Sequence, residues 1–211
     1  DLREGVDTHL VALSGGLDSR MTSLVAHELG YISQLNYTVS KSGYLDQSIA
    51  QEIACDYNHD WIFKSLDTGN WLLDFENIIE YTGGYELYYG TAHVQSLIGM
   101  IDDSSRFGIV HSGMLGDVII GTYYKGINPN RKFNLWCGAF YPNKLLSKVH
   151  FPKLDYANEE IGIFYNRGVN GMLYAAHTLV QQRLETFAPF LFRPFFDAML
   201  KTVSYTHLRA H

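Results

Sequence analysis

The sequence is short of several things, and each shortage narrows what the chain can be. Only two cysteines occur in 211 residues. Cys55 and Cys137 lie in unrelated contexts without metal-type spacing, so neither a disulfide scaffold nor a zinc module is expected. They read as buried thiols in a reduced, cytoplasmic setting. No apolar run reaches the ~18 residues of a spanning helix, so no membrane partner is expected. No basic stretch followed by an apolar run opens the chain, and no secretory signal is expected in it. Basic charge is scarce as well. Sixteen Lys and Arg stand against 22 Asp and Glu, a formal net charge of −6, which excludes the basic face that nucleic-acid binding needs. What remains is 46% hydrophobic and 18% charged, the balance of a globular domain able to bury a sizeable core.

Element signals alternate along the first third. His9-Leu10-Val11-Ala12-Leu13 is an apolar run of strand length that ends in a Ser-Gly-Gly turn. Met21, Leu24, Val25 and Leu29 then recur at helical spacing, and Gly30 supplies a left-handed stop. Gln34 to Val39 alternates, with Leu35, Tyr37 and Val39 on one side, as a second strand. A second helix follows on the Ile49, Ala50 and Ile53 face, and Trp61-Ile62-Phe63 is a third strand. This β-α-β-α-β order predicts an α/β fold, a parallel twisted sheet with helices on both faces. Further helices are expected over 71–81, 93–101 and 159–184. Phe107-Gly108-Ile109-Val110 is a strand leading into a second glycine turn, Ser112-Gly113-Met114-Leu115-Gly116-Asp117. Residues 122–155 hold three of the five prolines and no clean period, as an insertion or lid would.

The turn Ser14-Gly15-Gly16-Leu17-Asp18-Ser19 carries the chemistry. Consecutive glycines between a strand and a helix let the backbone approach an anion closely, with amides pointing at phosphate oxygens. The helix adds the positive end of its dipole. Ser14 and Ser19 supply hydroxyls, and Asp18 sits where a carboxylate can hold Mg²⁺ against phosphates. No lysine follows the glycines, so this is not a Walker A loop, and G-x-G-x-x-G is not matched either. The plainer alternative is a β-α turn with Asp18 as its helix cap.

Ser14 to Ser19 resembles the SGGxDS loop of the PP-loop ATP pyrophosphatases, and its SGGLDS form is most similar to the synthetase domain of glutamine-dependent asparagine synthetases and β-lactam synthetases. Three further stretches share the resemblance. Tyr37-Thr38-Val39-Ser40 with Leu45-Asp46, Ile49-Ala50 and Ile53-Ala54 is similar to the second strand and helix, where the family contacts adenine. Ser112 to Asp117 is similar to the second loop, SGxGxDE, and Ala188-Pro189-Phe190-Leu191 to the late SPFLD segment. The resemblance covers residues 9–202. It implies an adenine-nucleotide α-hydrolase-like sheet with extra helices. It implies that Leu13, Ser14, Gly15, Gly16, Asp18, Ser19, Val39 and Gly113 bind ATP, and that Asp18 and Asp117 hold Mg²⁺. The implied activity adenylates a small-molecule carboxylate, releases pyrophosphate and passes the acyl group to ammonia, which a glutaminase domain upstream would supply, or to another amine.

The departures are specific. Met114 stands where asparagine synthetases have a catalytic glutamate, Val118 where they have the glutamate of the Asp-Glu pair, and Phe192-Arg193 where aspartate is usual. These favour a carboxylate other than aspartate. They also leave open a degenerate nucleotide-binding or scaffold module without catalysis, or another PP-loop enzyme such as a tRNA-thiolating one. The family's late lysine is expected beyond Thr202. Residues 203–211 have no apolar period and resemble a translated sequencing adapter, so they are expected to be a non-native tail behind a partial domain at 1–202. The start at Asp1, close to a strand, likewise predicts native sequence upstream. His93, His111 and His177 lack metal spacing and read as structural or surface residues. Arg20 can reach a phosphate or simply line the helix surface. Tyr123-Tyr124-Lys125 and Asn166-Arg167-Gly168 read as packing groups or pocket linings.

Overall fold

The computed structural model describes residues 8–73, 75–83, 106–119 and 184–202, with positions 94, 97, 99–101, 164, 165, 169, 180 and 181 between them. Five strands, β1 (His9–Ala12), β2 (Gln34–Ser40), β3 (Asp60–Ser65), β4 (Ile109–His111) and β5 (Glu185–Phe187), form one sheet in the order β3-β2-β1-β4-β5. Every pairing is parallel. Helices alternate with the strands: α1 (Leu17–Glu28), α2 (Leu45–Asp56), α3 (Phe75–Thr82), α4 (Gly116–Ile119) and α5 (Arg193–Thr202). The α/β parallel architecture expected from the sequence is therefore present. Boundaries move by a few residues. Trp71 and Leu72 lie in a 3₁₀ turn ahead of α3 rather than inside it, and the fourth strand starts at Ile109 instead of Phe107. The expected lid at 122–155 and the tail lie outside the described residues, as do most of the helix expected at 159–184 and part of that at 93–101.

The sheet has two unlike faces. On one, Leu10 and Val110 pack with Ile101, Val180 and Leu184, flanked by Leu35 and Tyr37. Burial also drives the Tyr37 phenol upward from its ordinary value, so it stays neutral. The other face is polar and lies under α1. Gln34, Asn36, Thr38 and Ser40 of β2 are buried, whereas the intervening Leu35, Tyr37 and Val39 are only half-buried. Those buried amides persist because they are paired. The Ser23 hydroxyl of α1 lies 3.0 Å from the Gln34 side-chain oxygen and 3.2 Å from that of Asn36. The Gln34 amide donates to the Ser23 and Tyr31 carbonyls. Asn36 Nδ2 donates to His59 Nδ1 at 2.8 Å, which leaves His59 Nε2–H to donate to His27 Nδ1 at 2.8 Å.

This corrects the reading of α1. Its buried positions are Thr22 and Ser23, while Met21 and Val25 are each 46% exposed and Leu29 is 72% exposed. The apolar stripe instead walls a cavity of about 380 Å³, faced across by Phe187, Phe190 and Phe195. Cys55 is exposed, not buried, because α2 turns Ala50 and Ala54 inward. Cys137 lies outside the described residues.

Candidate functional site

Strand β1 delivers the glycine turn in a fixed direction. Leu13 is buried, its amide donates to the Tyr37 carbonyl at 2.9 Å, and its carbonyl accepts the Thr38 hydroxyl at 2.7 Å. Trp61 Nε1 in turn donates to Thr38 Oγ1, so two neighbouring strands hold the take-off point. The turn then closes on its own serines. Ser14 N–H donates to Ser19 Oγ at 3.0 Å, Gly16 N–H donates to Ser14 Oγ at 3.1 Å, and the two hydroxyls lie 2.9 Å apart. Gly15 N–H donates to Asp46 Oδ1 of α2 at 2.8 Å. The amides of Ser14, Gly15 and Gly16 are thus engaged by side chains. The donors left for an anion are those of the first turn of α1, which have no intrahelical acceptor.

The second glycine turn docks directly on the first. A Cβ on Gly113 would lie 2.6 Å from Ser19 N, and one on Gly116 would lie 2.5 Å from Asp18 Cγ. Only glycine permits either approach. Asp117 N–H donates to Asp18 Oδ2 at 2.9 Å, so α4 offers its first-turn amide to the carboxylate of α1. Between the two glycines Leu115 is held at φ 68° with its side chain buried, a strained left-handed conformation for a non-glycine residue. The apolar cluster of Ile119, Phe164 and Ala188 around Leu115 holds it there. Met114 packs against the same cluster.

This junction falls at the end of β1 and β4. From β1 the chain runs to β2 on one side, and β4 lies on the other. Such a reversal of strand order opens a crevice at the carboxyl ends of the strands, where ligands bind in open α/β sheets. Burial holds the Asp18 carboxyl above the ordinary carboxylate range. The Asp117 amide hydrogen bond opposes that rise, and the nearby Asp117 charge adds to it. Two carboxylates close enough for one to raise the other's proton affinity are a donor set suited to a hard divalent cation. Among the described residues no group of three metal-binding side chains occurs. The side chains here that could hold such a cation are those of Asp18 and Asp117.

The residues singled out from sequence are thereby sorted. Leu13, Ser14, Gly15, Gly16, Asp18, Ser19, Gly113 and Asp117 converge on one junction. Val39 sits on β2, two residues beyond the Tyr37 that binds Leu13, in register with Lys64 of β3. Arg20 Nε reaches back only to the Gly16 carbonyl, at 3.4 Å. Val118 lies in α4, one residue past Asp117. His111 is structural, bonded through Nε2 to His9 Nδ1 at 2.9 Å. His93, His177, Tyr123-Tyr124-Lys125 and Asn166-Arg167-Gly168 lie outside the described residues. The sequence placed Asp46 in the stretch similar to the family's adenine-contacting strand and helix, and Gly116 in the second glycine turn, but showed neither residue's contact with the first turn. Asp46 looks like an ordinary acid in a first helical turn, and the partner that distinguishes it is 31 residues away.

In comparisons with known proteins, no family model matches the chain and no curated protein sequence matches it significantly. The sheet order is consistent with Rossmann-like and nucleotide α-hydrolase folds.

Proposed function

We propose that the chain carries the nucleotide site of an ATP-dependent carbon–nitrogen ligase similar to asparagine synthetase. In this reading the crevice between β1 and β4 takes ATP with Mg²⁺, and a carboxylate substrate attacks the α-phosphate. Pyrophosphate leaves with the electrons of the broken P–O bond, and ammonia or another amine then displaces AMP from the acyl-adenylate. The observation that carries the reading is the docking of Gly113 and Gly116 onto Ser19 and Asp18, which brings two carboxylates from separate loops together. Chemistry of this kind rests on positioning and charge stabilisation, for which backbone amides, a divalent cation and cationic side chains suffice. The acceptor is proposed to be a carboxylate other than aspartate, because Met114 is packed in an apolar cluster and supplies no charge.

The same packing of Met114 supports a second reading, a degenerate relative that holds nucleotide without catalysis. ATP–pyrophosphate exchange across a panel of carboxylates separates the two. Exchange with any member supports the ligase. Folded protein that binds Mg²⁺-ATP but exchanges with none of them supports the binding module. Protein that binds no nucleotide contradicts both.

A further inference from the structure

Asp46 does something that a helix-capping acid need not do. It lies in the first turn of α2, yet its carboxylate turns away from that helix to accept the Gly15 amide of the first glycine turn, at 2.8 Å. The contact is more than one hydrogen bond. A Cβ on Gly15 would lie 3.1 Å from Asp46 Oδ1, 3.3 Å from Ile49 Cδ1 and 3.5 Å from Asp46 Cα. A methyl group at Gly15 would therefore crowd the start of α2, so the close seat of the turn on that helix favours glycine. The turn is gripped on its opposite flank as well, where Gly113 and Gly116 close on Ser19 and Asp18. It is thus clamped between α2 and the loop after β4.

An anion lodged on a loop amide can be a plug that ligand must displace, or a strut that keeps the loop in its working shape. Distance decides between them. Asp46 Oδ1 lies 2.8 Å from the Gly15 nitrogen, a direct hydrogen bond with no space between the two atoms for a phosphate oxygen. The Gly15 amide is therefore directed away from any phosphate. From this we infer that Asp46 is a positioning residue for the nucleotide site. By taking up the Gly15 amide it fixes the glycine pair, and so sets where the Ser14 and Ser19 hydroxyls and the first-turn amides of α1 point. The role needs an acceptor oxygen rather than a charge, and a charge near phosphates carries an electrostatic penalty of its own. This inference rests on the nucleotide reading proposed above.

Three variants of the full chain test it, with calorimetric titration of Mg²⁺-ATP and hydrogen exchange of the ligand-free protein. Asp46→Ala removes the acceptor and is expected to weaken Mg²⁺-ATP about tenfold or more, as loss of a charge-assisted hydrogen bond does. It is also expected to speed amide exchange at Gly15 and Gly16. Asp46→Asn keeps an oxygen acceptor and is expected to restore affinity to within about threefold of wild type. Gln47→Ala removes the bond from Gly43 N–H to Gln47 Oε1, disturbing the start of α2 without touching the glycine turn, and is expected to leave affinity unchanged. Wild-type affinity in Asp46→Ala, or an equal loss in Gln47→Ala, would overturn the inference. If wild type binds no Mg²⁺-ATP, the nucleotide reading fails instead. The exchange rates then decide the strut separately: unchanged protection of Gly15 in Asp46→Ala overturns it, and lost protection retains it as a loop-fixing contact.

Discussion

A single methyl group at Gly116 would fall 2.5 Å from Asp18 Cγ and 2.6 Å from its Oδ1. Because one of the two loops would have to retreat, Gly116→Ala is expected to destabilise the fold by about 1–3 kcal/mol, the usual cost of overpacking. Urea unfolding measures this, and Mg²⁺-ATP affinity should fall with it. Asp18 itself works against stability. Its folded-state carboxyl lies above the ordinary 3.8, chiefly through burial, so the folded chain holds the proton more tightly than the unfolded one. The penalty is absent below pH 3.8, where both states are protonated, and grows as pH rises through the folded value. Asp18→Asn is therefore expected to raise the thermal midpoint at neutral pH without Mg²⁺, while abolishing Mg²⁺-dependent nucleotide binding. A midpoint that falls would count against an uncompensated carboxylate at this position.

Helix α1 is seated on polar groups, and this makes it vulnerable in two ways. Asn36→Leu would leave His59 Nδ1 without its donor and separate Ser23 from one of its acceptors. Unsatisfied buried groups of this kind cost about 1–3 kcal/mol each, a loss readable in thermal melts. The histidines set an acid limit. His111 is pushed down to about 4 by burial and by the neighbouring His9, and His59 is lowered by burial and by His27. A depressed imidazole contributes stability above its ordinary value of 6.5 and loses it as pH falls toward about 4. Substituting His111 with Gln, opposite His9 and Phe187, should flatten the stability profile between those limits. An unchanged slope would show that other groups govern it. At this scale the sequence was legible where periodicity and burial agree. The strand at Leu10 and Val11 was evident, and so was the second helix, although of its expected face, Ile49, Ala50 and Ile53, only Ala50 is fully buried, with Ala54 beside it. In α1 they disagree: Met21, Val25 and Leu29 have a helical period, but the face that meets the sheet is Thr22 and Ser23. Only the amides of Gln34 and Asn36, distant in sequence, make that face buriable.

Across the molecule, the site exists because strand order reverses at β1. Both glycine turns could be read from the sequence as separate strand-to-helix junctions, and their residue types announced close backbone approach. Their contact could not be read from local signals, which do not determine the chain path across the 99 residues between Asp18 and Asp117; only the family resemblance implied that the two share a site. The Asp46 strut was hidden for the same reason. The net charge of −6 sharpens what the site must do, because it repels a polyphosphate at long range. On the nucleotide reading proposed above, binding is expected to depend on a cation between the carboxylates and the phosphates. The most direct test is calorimetry of ATP against wild type, Asp18→Ala and Asp117→Ala, each with Mg²⁺ and with a chelator. Binding by wild type only in the presence of Mg²⁺, with loss in both variants, is the expected result. Equal affinity in chelator, or an Asp18→Ala chain that binds as wild type does, would contradict a metal-bridged nucleotide site between β1 and β4.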